Sequence, residues 1–161
     1  MSDIKLRTHR IGDAGYIIHR HGIVYSEQYG WDMRFEAYVA RIMADFIENY
    51  NEATDRSWIA EKDGEFLGCV LVCKDGELQD TARLRLLMVE PGARGMGLGT
   101  KLTKACVDFA REKGYRRMVL STQSLLAPAL RLYEAAGFRR VAAEDVFAPG
   151  NSQGEYWELE L

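Results

Sequence analysis

Apolar residues follow a helical rhythm in the first third of the chain and a strand rhythm in the second. Between Asp32 and Tyr50 they recur at Phe35, Val39, Ile42, Phe46 and Tyr50. These spacings of three and four place them on one face of an amphipathic helix, with Asp32 as its N-terminal cap. A shorter helix is predicted from Asp13 to His21, ended by Gly22. Trp58 to Glu61 and Phe66 to Cys73 then read as strands joined across Lys62-Asp63-Gly64-Glu65, because Asp-Gly supplies the positive φ angles of a tight hairpin turn. Lys74-Asp75-Gly76-Glu77 repeats the turn signal and leads to a strand from Arg83 to Val89. On that strand, strict alternation puts Leu84, Leu86 and Met88 on one face, and Leu87 and Val89 on the other with the two arginines. These strands form an antiparallel meander.

After Val89 the pattern changes. A glycine-rich loop opens a helix from about Gly99 to Lys113, with Leu102, Ala105, Cys106 and Phe109 inward, and Gly114 leads to a strand from Met118 to Ser121. Strand, crossover helix and strand make a right-handed parallel unit. Pro128 suits the first turn of a further helix that stops at Gly137. Strands follow over Phe138 to Ala142 and Glu155 to Leu161, the latter alternating Trp157, Leu159 and Leu161 with Glu158 and Glu160. The expected fold class is α/β, an α+β arrangement with a central mixed, mostly antiparallel sheet and helices on both faces. No repeat or linker interrupts it, so residues 1–161 are read as a single domain.

Composition narrows the function. With 161 residues, 47% hydrophobic and 28% charged, the chain is a globular domain rather than a disordered one. A net charge of −3 gives no field to hold nucleic acid or an anionic membrane, so any anion site is local. Cys69, Cys73 and Cys106 are odd in number and lie in apolar stretches, as reduced packing thiols of a cytoplasmic protein do. The N-terminus carries no signal-like apolar core and no segment approaches the ~20 apolar residues of a membrane helix, so a cytoplasmic protein outside the membrane is expected.

The strongest candidate for such an anion site is Val89-Glu90-Pro91-Gly92-Ala93-Arg94-Gly95-Met96-Gly97-Leu98-Gly99-Thr100. It follows a strand, opens a helix and packs four glycines into eight residues. Backbone N–H groups of such a loop converge on an anion with the helix's positive end behind them, and Arg94 adds a forked cation suited to phosphate. Thr100 stands where a dinucleotide loop needs its last glycine, and Gly99-Thr100-Lys101 inverts the end of a triphosphate-binding loop. Both of those nucleotide readings are weak.

Arg94-x-x-Gly97-x-Gly99 after a strand, followed some thirty residues on by Ala129-Leu130-Arg131-Leu132-Tyr133-Glu134-Ala135-Ala136-Gly137-Phe138, resembles the acetyl-CoA signature of the GNAT N-acetyltransferase superfamily. The resemblance runs from about Ser57 to Leu161. It implies a GNAT-like acyltransferase fold, with an acetyl-CoA core over residues 57–161 and an acceptor-side segment over 1–56. The stretch from His21 to Asp32 further resembles acetyltransferase modules fused behind MarR-type transcriptional regulators.

What the resemblance implies is acetyl transfer from acetyl-CoA, as co-substrate and without a metal, directly to a primary amine of a small molecule or protein. Backbone groups of Leu87, Met88 and Val89 would pair with the pantetheine arm, and Arg94, Gly95, Met96, Gly97, Leu98, Gly99 and Thr100 would hold the pyrophosphate. An amide near Leu87 or Met88 would stabilise the oxyanion, and Tyr133 would protonate the departing thiolate as general acid. The glutamate that many members carry before the tyrosine helix is missing from Leu120-Ser121-Thr122, and an asparagine that some members use is replaced by Leu126. Glu90 and Glu27 are therefore the candidates for the base, with Asp32 and Glu36 behind them. His19 and His21 alternate without metal-site spacing, and Cys69 and Cys73 have no second ligand pair, so no metal is expected. Tyr25, Tyr29, Trp31, Phe35 and Tyr38 either line an acceptor pocket or form core. A two-fold homodimer is the default assembly. The competing class is a non-catalytic module that senses acetyl-CoA or contacts a regulator.

Overall fold

Seven strands and four helices form in the computed structural model, which describes residues 3–144 and 152–161. The strands are β1 (Lys5–Arg7), β2 (Arg56–Lys62), β3 (Glu65–Lys74), β4 (Thr81–Val89), β5 (Arg117–Gln123), β6 (Arg139–Ala143) and β7 (Gly154–Glu160). They lie in one sheet of order β1-β2-β3-β4-β5-β7-β6. Only β4 and β5 pair in parallel, joined through α3 (Leu98–Glu112); every other neighbouring pair is antiparallel. β1 is an element the sequence pattern did not reveal. Three residues are too few to show a period, and Arg7 holds the strand in place by pairing with Glu61 of β2 and with Asp13.

Each sheet face has its own core. α1 (Asp13–Tyr29) and α2 (Met33–Glu48) cover one face, where Ile17, Val24, Val39 and Met43 meet Ile59, Cys69, Leu71 and Met88. α3 and α4 (Ala127–Ala136) cover the other, where Leu98, Leu102, Cys106 and Phe109 meet Val70, Leu84, Met118 and Leu120. As expected, Asp32 caps α2, its carboxylate accepting from the Arg34 amide at 2.9 Å. Asp63 and Gly64 take φ angles of 52° and 77° in the β2–β3 hairpin.

Three local expectations are overturned. α1 does not stop at Gly22 but runs to Tyr29, where Gly30 ends it with a left-handed φ of 71°. A mid-helix glycine costs about 1 kcal/mol relative to alanine. Here it makes room for α2, because a Cβ at residue 22 would stand 2.9 Å from Glu36 Oε1. Lys74–Glu77 is not a second tight turn: the buried Asp75 carboxylate accepts from the Glu77 and Leu78 amides and organises a longer loop.

The third correction concerns β4. Ala82 and Leu84 face α3, but so do Leu87 and Val89, while Leu86 and Met88 join the α1–α2 core. The pairing shows why: Cys69 is opposite Met88 but Leu71 is opposite Arg85, so Val70 faces two residues, Leu86 and Leu87. This is a β-bulge, and a one-residue slip exchanges the faces of everything after it. Leu86 carries the strain with a φ of 54°, a region that costs a leucine about 1–3 kcal/mol. Its carbonyl accepts from the Cys69 thiol at 3.3 Å. Gly68 admits the distorted strand, since a Cβ there would lie 2.6 Å from the Met88 carbonyl oxygen.

Candidate active site

The bulge lies where the sheet opens. β4 and β5 pair only from Thr81 to Arg83 against Arg117 to Val119. Beyond Arg83, β5 stays with β7 out to Gln123 while β4 continues to Val89 without a strand partner on that side among the described residues. The wedge between them leads into a cleft of about 380 Å³, floored by Leu87, Met88 and Val89 and walled by α4 residues including Pro128, Ala129 and Leu132. Backbone groups along the splayed part of β4 are thus offered to an extended ligand, which could add to the sheet as a strand would.

The glycine-rich loop closes one end of this cleft. Pro91–Ala93 makes a single 3-10 turn, Arg94 is extended, and Gly95 and Gly97 take φ angles of 83° and 74° that only glycine adopts at little cost. Gly97 precedes α3, with no side-chain cap and no acid in the first turn, so the first amides of a 15-residue helix point at the cleft unneutralised. Arg94, Gly95, Gly97, Leu98, Gly99 and Thr100 line the cleft. Met96 does not: it turns outward to a pocket shared with Arg20 and Glu90. Gly99 has a second task, as a Cβ there would stand 2.6 Å from Leu132 Cδ1 where α3 meets α4. Arg94 donates to Gln28 Oε1 of α1 at 3.0 Å and, among the described residues, pairs with no acid. Arg131, inside the motif that carries the resemblance, lines the same cleft and is a second cation that the sequence reading left out.

On the other side of β4, a smaller cavity of about 100 Å³ opens beneath α1 and α2. His21, Tyr25, Trp31, Phe35 and Tyr38 line it with Arg83 and Arg85; Tyr25, Leu87 and Leu126 are shared with the larger cleft, whereas Tyr133 lines the smaller cavity and not the larger cleft. The aromatic residues thus do both things at once: Trp31 and Phe35 are buried in the α1–α2 core and also line the cavity. Tyr133 packs edge-on against Phe138, with ring centres 5.8 Å apart, and burial pushes its phenol well above the usual tyrosine range. It therefore keeps its proton throughout the neutral range. His21 is fully buried, stacks on Tyr25 and sends Nδ1 to the Ile17 carbonyl at 2.8 Å, while its Nε2 has no partner. Burial lowers its pKa to about 4 despite that hydrogen bond, so the ring is neutral at pH 7.

The two glutamates named as bases stand elsewhere. Glu90 is held by both nitrogens of a fork from Arg20, each at 2.7 Å, on the outer side of the loop. Glu27 is exposed on α1 and lines neither cavity, and the same is true of Asp32 and Glu36. Among the described residues no three of His, Cys, Asp or Glu gather as metal ligands, and no helix is long and apolar enough to cross a membrane.

A sheet splayed between its parallel strands, with a bulge at the opening and an uncapped glycine loop at one end, is the GNAT fold. The chain belongs to the Acetyltransferase (GNAT) family, whose sequence model matches residues 24–138. It is 31% identical over 122 residues to the protein named "Probable N-acetyltransferase camello" of Xenopus tropicalis, covering 75% of this chain and 54% of that one. It is 34% identical over 110 residues to N-acetylaspartate synthetase of Danio rerio, covering 67% and 39%. The chain spans about half the length of the first curated relatives it matches. Among solved structures, yncA of Salmonella typhimurium with its cofactor acetyl-CoA superposes with a TM-score of 0.73 at 21% identity, over 98% of this chain and 93% of that one.

Proposed function

We propose that the protein transfers acetyl from acetyl-CoA directly to a primary amine. The observation that carries this is the continuity of one cleft from the unpaired edge of β4 to the uncapped amides of α3, a shape matched to a thioester arm ending in a pyrophosphate. Arg94 and the amides from Gly95 to Thr100 take the pyrophosphate, Arg131 adds charge, and the backbone of Leu87 to Val89 pairs with the pantetheine. The bulge turns an amide at Leu87 or Met88 towards the thioester carbonyl, where it meets the oxyanion.

In the reaction an ammonium first loses a proton to water. The free amine forms the N–C bond, the C–S bond breaks, and the thiolate takes its proton from Tyr133. The tyrosinate recovers one from the new amide nitrogen, so each turnover releases one proton. Among the described residues no carboxylate lines the acceptor cavity, so ordered water takes over the part first assigned to Glu90 and Glu27. The free cysteines fit a cytoplasmic setting.

Calorimetric titration tests the donor site. Acetyl-CoA should saturate one site per chain while ATP and NADH do not, and Arg94→Ala should weaken binding about tenfold through loss of a charge-assisted hydrogen bond. Thiol release with an amine panel then tests transfer. Saturable binding without transfer to any amine would instead identify a CoA-binding module of the kind that accompanies regulators.

A further inference from the structure

Among the described residues the acceptor cavity holds two arginines and no acid, which is the wrong polarity for an acceptor recognised by its positive charge alone. Arg83 is already committed: it donates to Asp75 Oδ1 at 2.8 Å and to Ser121 Oγ at 2.9 Å. Arg85 is half-buried and, among the described residues, has no ion pair; the interaction it makes is with the Cys73 thiol. Arg85 also lines the adjoining pocket, whose acids Asp45, Asp55 and Asp75 are held by other donors. Asp55 accepts from the Asn51 and Lys74 amides, and Asp45 accepts from Asn49. A half-buried guanidinium that no acid among the described residues contacts is free to take the carboxylate of a ligand in a charge-assisted, forked hydrogen bond.

A second group in the same cavity has the opposite need. His21 donates from Nδ1 to Ile17, which leaves Nε2 as a lone-pair acceptor, fully buried and without a partner. One cavity thus contains a cation in want of an anion, an acceptor in want of a donor, and an aromatic wall. An α-amino acid carries the complementary set on a single carbon.

On the acetyl-transfer reading above, we propose that the acceptor is a free α-amino acid with an apolar or aromatic side chain. Its carboxylate pairs with Arg85, its amino group donates to His21 Nε2 while directed at the thioester beside Leu87, and its side chain packs on Trp31 and Phe35. A peptide N-terminus lacks the free carboxylate on that carbon, and a lysine side chain holds it too far from the reacting nitrogen.

The test compares L-phenylalanine and L-leucine with phenethylamine, isopentylamine and phenylalaninamide in a thiol-release assay. The same ligands are titrated calorimetrically into the protein with and without CoA. The amino acids should exceed their carboxylate-free counterparts at least tenfold in kcat/KM. Arg85→Gln should erase that preference by raising KM at least tenfold more for the amino acids than for the amines, and Arg85→Lys should restore part of it. Unaltered thermal melting shows that the variants are folded. Equal or better turnover of the amines, the amide or a lysine peptide overturns the proposal, as does an Arg85→Gln loss that falls equally on every acceptor. Amino-acid binding that depends on Arg85 in a protein that neither binds nor spends acetyl-CoA would uphold the carboxylate site and sink the acetyl-transfer reading instead.

Discussion

On the α3 side of β4 the cleft is made largely of backbone: a splayed strand edge, glycines at positive φ, and the first amides of a helix. On the α1–α2 side the cavity is made of side chains: five aromatic rings, two arginines and a buried histidine, drawn from elements far apart in the chain. The two regions share Tyr25, Leu87 and Leu126, and Tyr133 lines the second of them. Backbone recognition suits a ligand part that never varies. Side-chain recognition suits one that differs between relatives, because a cavity wall can be rewritten without disturbing a hydrogen-bonded edge.

If the regions are as separable as this, changes should sort by side. Tyr133→Phe, in the second region, should lower kcat by 10²-fold or more while the affinity for acetyl-CoA measured by calorimetry changes less than threefold, since general-acid catalysis contributes roughly 10²–10⁴. Equal loss in both would tie Tyr133 to packing. Because its phenol is shifted upward, no fall in rate from its ionisation should be seen up to pH 10.

The next effect belongs to the acceptor side and to stability. His21 has a folded pKa of about 4 against 6.5, so between those values the unfolded chain binds the extra proton. Stability is therefore full above pH 6.5 and falls by about 3 kcal/mol as pH drops to 4. Asp13 and Asp75, whose pKa values lie below 3.8, lose their contributions only at lower pH. Urea melts across this window should show the slope, and His21→Gln should flatten it.

Gly68→Ala probes the strained edge. Its Cβ would meet the Met88 carbonyl at 2.6 Å, and backbone must move, at a cost of about 2 kcal/mol. Thermal melts should record that loss, and acetyl-CoA binding should weaken with it if the same edge receives the pantetheine as proposed. Removing the α2 cap with Asp32→Ala should have the smallest effect, about 1 kcal/mol in stability with no change in turnover. A change in turnover would show that the end of α2 reaches the acceptor.

The sequence pattern was most informative where local chemistry decides the outcome. The α2 cap at Asp32, the Asp63-Gly64 turn, the glycine loop before α3 and the stop of α4 at Gly137 are each set by residues within a turn of one another, so their signals survive without knowledge of the fold. The bulge at Leu86 left no such mark. A leucine carries no preference for positive φ, and what puts it there is the register forced from the neighbouring strand, with Gly68 opened to admit it.

For the same reason the chain order determined by itself that a glycine-rich loop and a tyrosine helix follow one strand, and that two helices precede the β2–β3 hairpin. Tertiary structure alone decided that Gly22 is a crossing point rather than an end, that Glu90 is paired with Arg20 outside the cleft, and that His21, Trp31 and Arg85 line one cavity. Caps and turns depend on neighbours in sequence. A cavity wall depends on which helix faces cross which strand, and that is fixed by packing over the whole sheet.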